Sequence, residues 1–323
     1  MRLKDLGERR LIRALRRFFP ARPPGVVLGV GDDAAVVRGP RNLILTHDLL
    51  VEDVDFRRAL HPPRLLGRKA LNVNLSDIAA MGGRPLHAVL GLALPGRTKR
   101  EWLQRFLAGF REATREAGVA LVGGDMSAAA RAVISVTVTG QAAVFVPRGG
   151  ARPGDRVFVS GTLGDAAMGL RLLERSAKTG RSRPARRLVR AFLDPSPRLD
   201  LGFLLARRRL ASAMIDISDG LAVDLSHICE ESRTGAEIDL AKIPVSEELR
   251  RASGRPLGLA LYGGEDFELL FAVRPRNLAR LRLLAKRFDI TEVGRIISGR
   301  KIWAVGRDGK KRPLAIRGYE HFK

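Results

Sequence analysis

Between Lys69 and Pro85 the sequence KALNVNLSDIAAMGGRP places apolar residues at Leu71, Leu75, Ile78 and Ala79. That spacing predicts one face of an amphipathic helix, with Gly82, Gly83 and Pro85 marking its end. Asn74, Ser76 and Asp77 stand beside the stripe, although such side chains compete for backbone groups and favour caps and turns over helix interiors. Around this helix the pattern predicts apolar strands at Leu43–Thr46, His87–Pro95, Val119–Met126 and Ile134–Val146. A second helix is expected over Arg100–Ala117, with Trp102, Phe106, Phe110, Ala113 and Ala117 on one side. Val119–Met126 is expected to be a buried strand that ends in two glycines and Asp125. Val26–Val37 reads as two apolar runs about a Gly-Asp-Asp turn, and the amino terminus as a short basic helix with Leu11, Leu15 and Phe18 facing inward.

Around Arg148–Asp155, RGGARPGD, the composition turns to Arg, Gly and Pro, which places a domain boundary there and divides the chain into 1–148 and 149–323. Beyond it the pattern predicts a strand at Arg156–Ser160, a Gly161-Thr-Leu-Gly164 turn and a helix through Leu173. Ser176–Arg187 is basic, lacks apolar periodicity and is expected to be a surface connection. A Leu- and Ala-rich helix follows at Leu199–Leu210. Met214, Ile215 and Ile217 look like strand positions, and a helix runs on through Leu225 and Ile228. The sequence LYGGEDFELLF sets Gly263-Gly264-Glu265-Asp266 before another apolar strand, and the last third closes with a helix and a strand.

The 323 residues, 45% of them hydrophobic, suffice for two cores. A single cysteine, Cys229, excludes internal disulfides and multi-cysteine zinc patterns, so a reducing cytoplasm is the expected compartment. The amino terminus is too charged for a signal sequence, and no run approaches the roughly 18 apolar residues of a membrane span. The net charge of +24 invites a nucleic-acid reading. Against it, the arginines are spread, with their densest run at Arg171–Arg209, and only two tryptophans and two tyrosines could stack on bases. No nucleic-acid-binding signature is present, so most of the arginines are read as solvated faces.

The candidate chemistry is carried by oxygen. Asp33, Asp48, Asp77, Asp125, Asp216 and Asp219, with Thr46 and Ser218 as hydroxyl partners, recur beside glycines or at the ends of apolar strands. Asp219 has a structural alternative as a helix cap, whereas Asp216 has none. Hard oxygen donors suit Mg²⁺ or a similar cation rather than zinc. Two carboxylates 4 Å apart repel by about 4 kcal/mol at an effective dielectric constant near 20, so a cluster of them makes sense chiefly around cations. Several Mg²⁺ ions in turn suggest a polyphosphate and phosphoryl transfer. The chain carries no G-x-x-x-x-G-K-[ST] loop and no protein-kinase motif set.

In order along the chain, GDDAAVV, THDLLVEDVDF, KALNVNLSDIAAMGG, LVGGD, RGGARPGD, SGTLGDAAMGL, IDISDGL, GGEDFELLF and GYEHF resemble the thiamine-monophosphate kinase family. That family is related to aminoimidazole ribonucleotide synthetase and selenophosphate synthetase. The resemblance implies a two-domain, PurM-like α/β fold whose N-terminal mixed sheet dimerises into a barrel-like interface, followed by a C-terminal α/β domain. It implies ATP and thiamine monophosphate as substrates, several Mg²⁺ ions and a homodimer, while the composition above speaks against a membrane or specific nucleic-acid partner. On the matching positions, Asp33, Thr46, His47, Asp48, Asp77, Asp125, Asp216 and Asp219 would bind metal. Gly124, Asp125, Arg148 and Ser218 would contact ATP, and Asp55, Glu265 and Tyr319 the thiamine phosphate. Three positions depart from the family pattern: His47, where a hydroxyl is usual, Asp55, where His is usual, and Leu107, where Tyr is frequent. Rival readings are an aminoimidazole ribonucleotide synthetase-type enzyme and a polyanion binder on the same fold. A selenophosphate synthetase is disfavoured because Cys229 lies far from the expected catalytic position.

Overall fold

In the computed structural model the described residues are 26–28, 32, 34–38, 42–175 and 183–319. The expected amino-terminal helix and Asp33 lie outside them. The first half consists of β1 (Val26–Leu28), β2 (Ala35–Val37), β3 (Asn42–Val51), α1 (Pro63–Ala80), β4 (Arg84–Leu94), α2 (Arg100–Ala117), β5 (Ala120–Ala128) and β6 (Val133–Ala142). Its strands form one sheet in the order β1-β2-β3-β6-β4-β5. β3 and β6 pair antiparallel from Asn42↔Ala142 to Val51↔Val133, and β4 lies parallel to β5.

The predicted helix begins earlier than its apolar stripe suggests. Pro63 opens α1, where a missing backbone N–H costs nothing. Asn74 and Ser76 are fully buried because α1 is covered on every side, by the sheet and α2 and by elements of the second half. Glycine makes the α1–α2 crossing possible: a Cβ on Gly109 would stand 1.7 Å from the Arg64 carbonyl oxygen, and one on Gly67 2.0 Å from that of Phe106.

The second half continues with β7 (Arg156–Ser160), α3 (Asp165–Arg175), α4 (Arg183–Leu193), α5 (Leu199–Arg207), β8 (Ala211–Asp216), α6 (Leu221–Ser232), β9 (Gly235–Asp239), α7 (Glu247–Ala252), α8 (Pro256–Tyr262), β10 (Leu269–Val273), α9 (Leu278–Ala285), β11 (Ile290–Ile297), β12 (Ile302–Val305) and β13 (Lys311–Pro313). Its sheet runs β13-β12-β9-β11-β7-β10-β8. Its fully apolar strand β10 lies between β7 and β8 and is buried throughout.

The structure corrects three expectations. β5 is exposed along its whole length, because α1 and α2 leave this edge strand uncovered. The strand expected to reach Val146 ends at Ala142. The expected connection Ser176–Arg187 is helical from Arg183, where α4 buries Leu188 and Phe192 under an arginine-rich outer face.

Candidate active site

The two residues at the middle of the predicted helix join the halves of the chain. Asp77 Oδ2 accepts a hydrogen bond from the Thr46 hydroxyl of β3, and the Ser76 hydroxyl donates to Asp216 Oδ2 of β8 at 2.6 Å. One turn of α1 thus meets the inner positions of both sheets. Beside it opens a cleft of about 480 Å³ whose lining includes Asp48, Asp55, Asp77, Asp216, Ser218, Asp219, Glu265 and Tyr319. A larger hollow of about 710 Å³ lies near Cys229 and Arg233, but it gathers only one carboxylate, that of Glu230. The convergence of acids, not size, identifies the site.

Burial pushes the Asp48 carboxyl up to about 6, and the neighbouring charge of Asp55 adds to the effect. Asp55 is itself held in place, its Oδ2 accepting from the Val51 backbone N–H at 2.8 Å. On the opposite wall the loop before β10 is locked to the segment after β8. Glu265 N–H donates to Ser218 O at 2.7 Å and Phe267 N–H to Ile217 O at 2.9 Å. Both residues take positive φ, 69° and 50°, strained backbone of the kind that collects at functional sites. Between them, Asp266 accepts from the N–H groups of Gly164 and Ala166, so its own carboxylate fills the start of α3. Asp219 does not cap α6. Gly220 stands at that cap with φ 116°, and the Asp224 carboxylate accepts from the N–H groups of Gly220 and Asp219.

Other expected site residues are placed elsewhere. Strand alternation puts Thr46 and Asp48 on the helix-covered face of β3 and turns the His47 side chain to the open face, where its Nδ1 lies 2.8 Å from Thr137 Oγ1. The register row Asp48–Val136–Leu90–Gly124 shares the covered face, so Asp125, paired with Gly91, projects from the open one. Arg148 lies between the halves, its backbone N–H donating to Asp32 Oδ2 at 3.0 Å. Neither Gly124, Asp125, Arg148 nor Leu107 lines the cleft.

Sequence reasoning passed over Lys69 and His61. Lys69, on α1, is 1% exposed and its Nζ donates to Glu265 Oε1 at 2.7 Å. His61, also 1% exposed, lines the cleft just before the two prolines that start α1. The signal for Lys69 was its helical phase: it lies seven residues before Ser76 and eight before Asp77, on the face that carries them.

Residues 31–142 match the family model for AIR synthase related protein, N-terminal domain, and residues 152–305 match that for its C-terminal domain. The thiamine-monophosphate kinase of Aquifex aeolicus (strain VF5) is 37% identical over 327 residues, covering 100% of each chain. That of Escherichia coli (strain K12) is 38% identical over 309 residues, 92% of each. A solved structure described as AaThiL complexed with AMPPCP and TMP superposes with a TM-score of 0.88 at 35% identity, covering 99% of each chain. With this identity sustained over the full length, the chain belongs to the thiamine-monophosphate kinase family.

Proposed function

We propose that the chain transfers the terminal phosphoryl group of ATP to thiamine monophosphate, giving thiamine diphosphate and ADP, in the cleft between α1 and the loops after β8 and before β10. The observation that carries this reading is the convergence of Asp48, Asp77, Asp216 and Asp219, drawn from three separate elements and the loop after one of them, on a single cleft. The kinship reported above supplies the substrate class.

The donor set fits Mg²⁺. It is made of carboxylate oxygens, and Asp48, whose pKa is raised to about 6 by burial and secondarily by the charge of Asp55, is an acid whose ionised form a nearby cation would favour. Asp48, Asp77, Asp216 and Asp219 would hold the ions, which when bound supply charge neutralisation for two polyanions brought together. The rest of the expected ligand set is Asp33, outside the described residues, Thr46, His47 and Asp125, the last two on the open face of the sheet. The hydroxyls of Thr46 and Ser76 each hold one oxygen of Asp77 and Asp216 and so orient the two carboxylates.

The acceptor is a phosphate monoester with a second pKa near 6, so at neutral pH it is mostly a dianion and needs no general base. The work left to the protein is positioning. Asp55, Glu265 and Tyr319 line the cleft and are assigned to the cationic thiazolium and the aminopyrimidine of the acceptor. Ser218, and Gly124 and Arg148 at the sheet side, are assigned to the nucleotide. Within this reading the chain divides at residue 148 and works in the cytoplasm as a homodimer; among the described residues no helix is long and apolar enough to cross a membrane. The exposed edge strand β5, with Leu121, Val122 and Met126 uncovered, supports the dimer, since open apolar edges are sites of chain association.

The test is incubation with ATP, Mg²⁺ and either thiamine monophosphate or free thiamine, followed by chromatography. Thiamine diphosphate is expected from the monophosphate alone. Its absence under saturating substrates, in protein shown to be folded, refutes the reading.

A further inference from the structure

In the lining of the cleft one group is left over. His61 is 1% exposed, yet among the described residues neither ring nitrogen has a hydrogen-bond partner. Buried polar atoms without partners are rare in native proteins, and each calls for a reason. The ring packs edge-on to Phe56, with centroids 6.3 Å apart, and 5.0 Å from the centroid of Phe192. Burial and the charge of Lys69 lower its pKa to about 3, so the ring is neutral and always keeps one nitrogen as an acceptor.

Lys69 is the nearby donor. Its ammonium group lies 4.0 Å from the Phe192 ring centroid while donating to Glu265 Oε1 at 2.7 Å. Phe192 therefore faces both the lysine and the histidine. Glu265, with its side chain 33% exposed, belongs to the cleft wall, but with Lys69 attached its charge is cancelled. A cancelled carboxylate attracts a cationic ring poorly.

We propose that Lys69 is a positioning residue with two seats. It pairs with Glu265 before the acceptor binds, and it moves along the face of Phe192 to hydrogen-bond a ring nitrogen of His61 when a cationic acceptor takes Glu265. The carboxylate passes from the ammonium to the ring cation of the ligand, and the buried ammonium gives up its counter-anion for a neutral acceptor and its aromatic contact, a cost that the new pairing of Glu265 with the ligand must offset. The unpartnered nitrogens of His61 are then the second seat. This rests on the reading of the cleft as the site of a phosphate monoester carrying a cationic ring, and it deepens that reading by naming how the cation is admitted.

His61→Phe keeps an aromatic ring in place and removes the seat. The KM for thiamine monophosphate is expected to rise about tenfold, with kcat and the KM for ATP within about twofold of wild type, one hydrogen bond to a charged group having been lost. His61→Gln, which restores an acceptor, is expected to recover most of the loss. A purely structural histidine predicts an unchanged KM in His61→Phe, and that result overturns the proposal. Wild-type protein that neither binds nor turns over thiamine monophosphate refutes the functional reading instead. The two seats are then decided by the ¹⁵N resonances of the His61 ring in Glu265→Gln. Loss of the carboxylate charge is expected to send Lys69 to His61 and shift the acceptor nitrogen to its hydrogen-bonded position, whereas a spectrum identical to wild type overturns the proposal.

Discussion

The buried imidazole of His61 makes the stability of this protein depend on pH in a way that one substitution isolates. Burial, and secondarily the charge of Lys69, lower its pKa from 6.5 to about 3. The unfolded chain therefore binds a proton near pH 6.5 that the folded chain refuses until about pH 3. Stability tied to this group is complete above the upper value and is lost progressively as pH falls through the interval, at up to about 1.4 kcal/mol per pH unit. At about pH 5 the loss amounts to roughly 2 kcal/mol, and the 1% exposure of the residue leaves little solvent to screen it. The assay is urea unfolding of wild type and His61→Phe at about pH 7.5 and about pH 5, since carboxylates and other titrating groups cancel in the difference between the two proteins. Wild type should lose roughly 2 kcal/mol more than the variant between these conditions. Equal losses would mean that the ring protonates inside the folded protein. That would refute both its neutrality and its fitness to accept a hydrogen bond from Lys69.

Further consequences follow from the packing and from the acid cluster. Gly109→Ala, whose Cβ would stand 1.7 Å from the Arg64 carbonyl oxygen, should destabilise the protein by about 3 kcal/mol or more through separation of α1 from α2; an unchanged urea midpoint contradicts the crossing. If the proposed dimer forms through β5, Val122→Asp, at a position 60% exposed on that strand, should leave only monomer in light scattering, and a persistent dimer places the interface elsewhere. Asp77→Asn and Asp125→Asn should each lose at least about a hundredfold in turnover, yet an equal mixture of refolded chains should recover about a quarter of wild-type activity if each site draws these two acids from different copies. No recovery means that both acids serve one chain's site.

What could be read in the sequence was the chemistry that breaks local rules. Asn74, Ser76 and Asp77 were visible because a helix interior gains nothing from them, and Asp216 because an apolar strand has no use for a carboxylate. His47 was taken with Thr46 and Asp48, although period-two alternation already places it on the other face. β5 was misread because an apolar run looks the same in a strand that helices cover and in one left at an open edge. The helix at Arg183–Leu193 was hidden by its arginines, although Leu188 and Phe192 stand at helical spacing. Lys69 shares the helical phase of Ser76 and Asp77, but that phase alone is weak among the 58 lysines and arginines of the chain. Only three-dimensional packing separates the one that is buried against a glutamate from those that solvate a surface.

The position of Asp125 links the site to the question of assembly. Asp48 and the strand that bears Asp125 are separated by β6 and β4, a span of about 14 Å at ordinary strand spacing. The two side chains also leave the sheet on opposite faces. No rotamer change closes such a gap, so in one chain Asp125 cannot share an ion with Asp48 and Asp77. Yet Asp125 sits on an edge strand beside exposed Leu121, Val122 and Met126, an apolar surface that favours contact over water. A carboxylate among apolar residues on an open edge is a poor surface for solubility and a sensible one for contact. If a second copy covers β5, the same contact that hides those apolar residues carries Asp125 and Gly124 toward another chain. The acid that the single chain leaves stranded and the edge that it leaves open then have one explanation, a site completed by association.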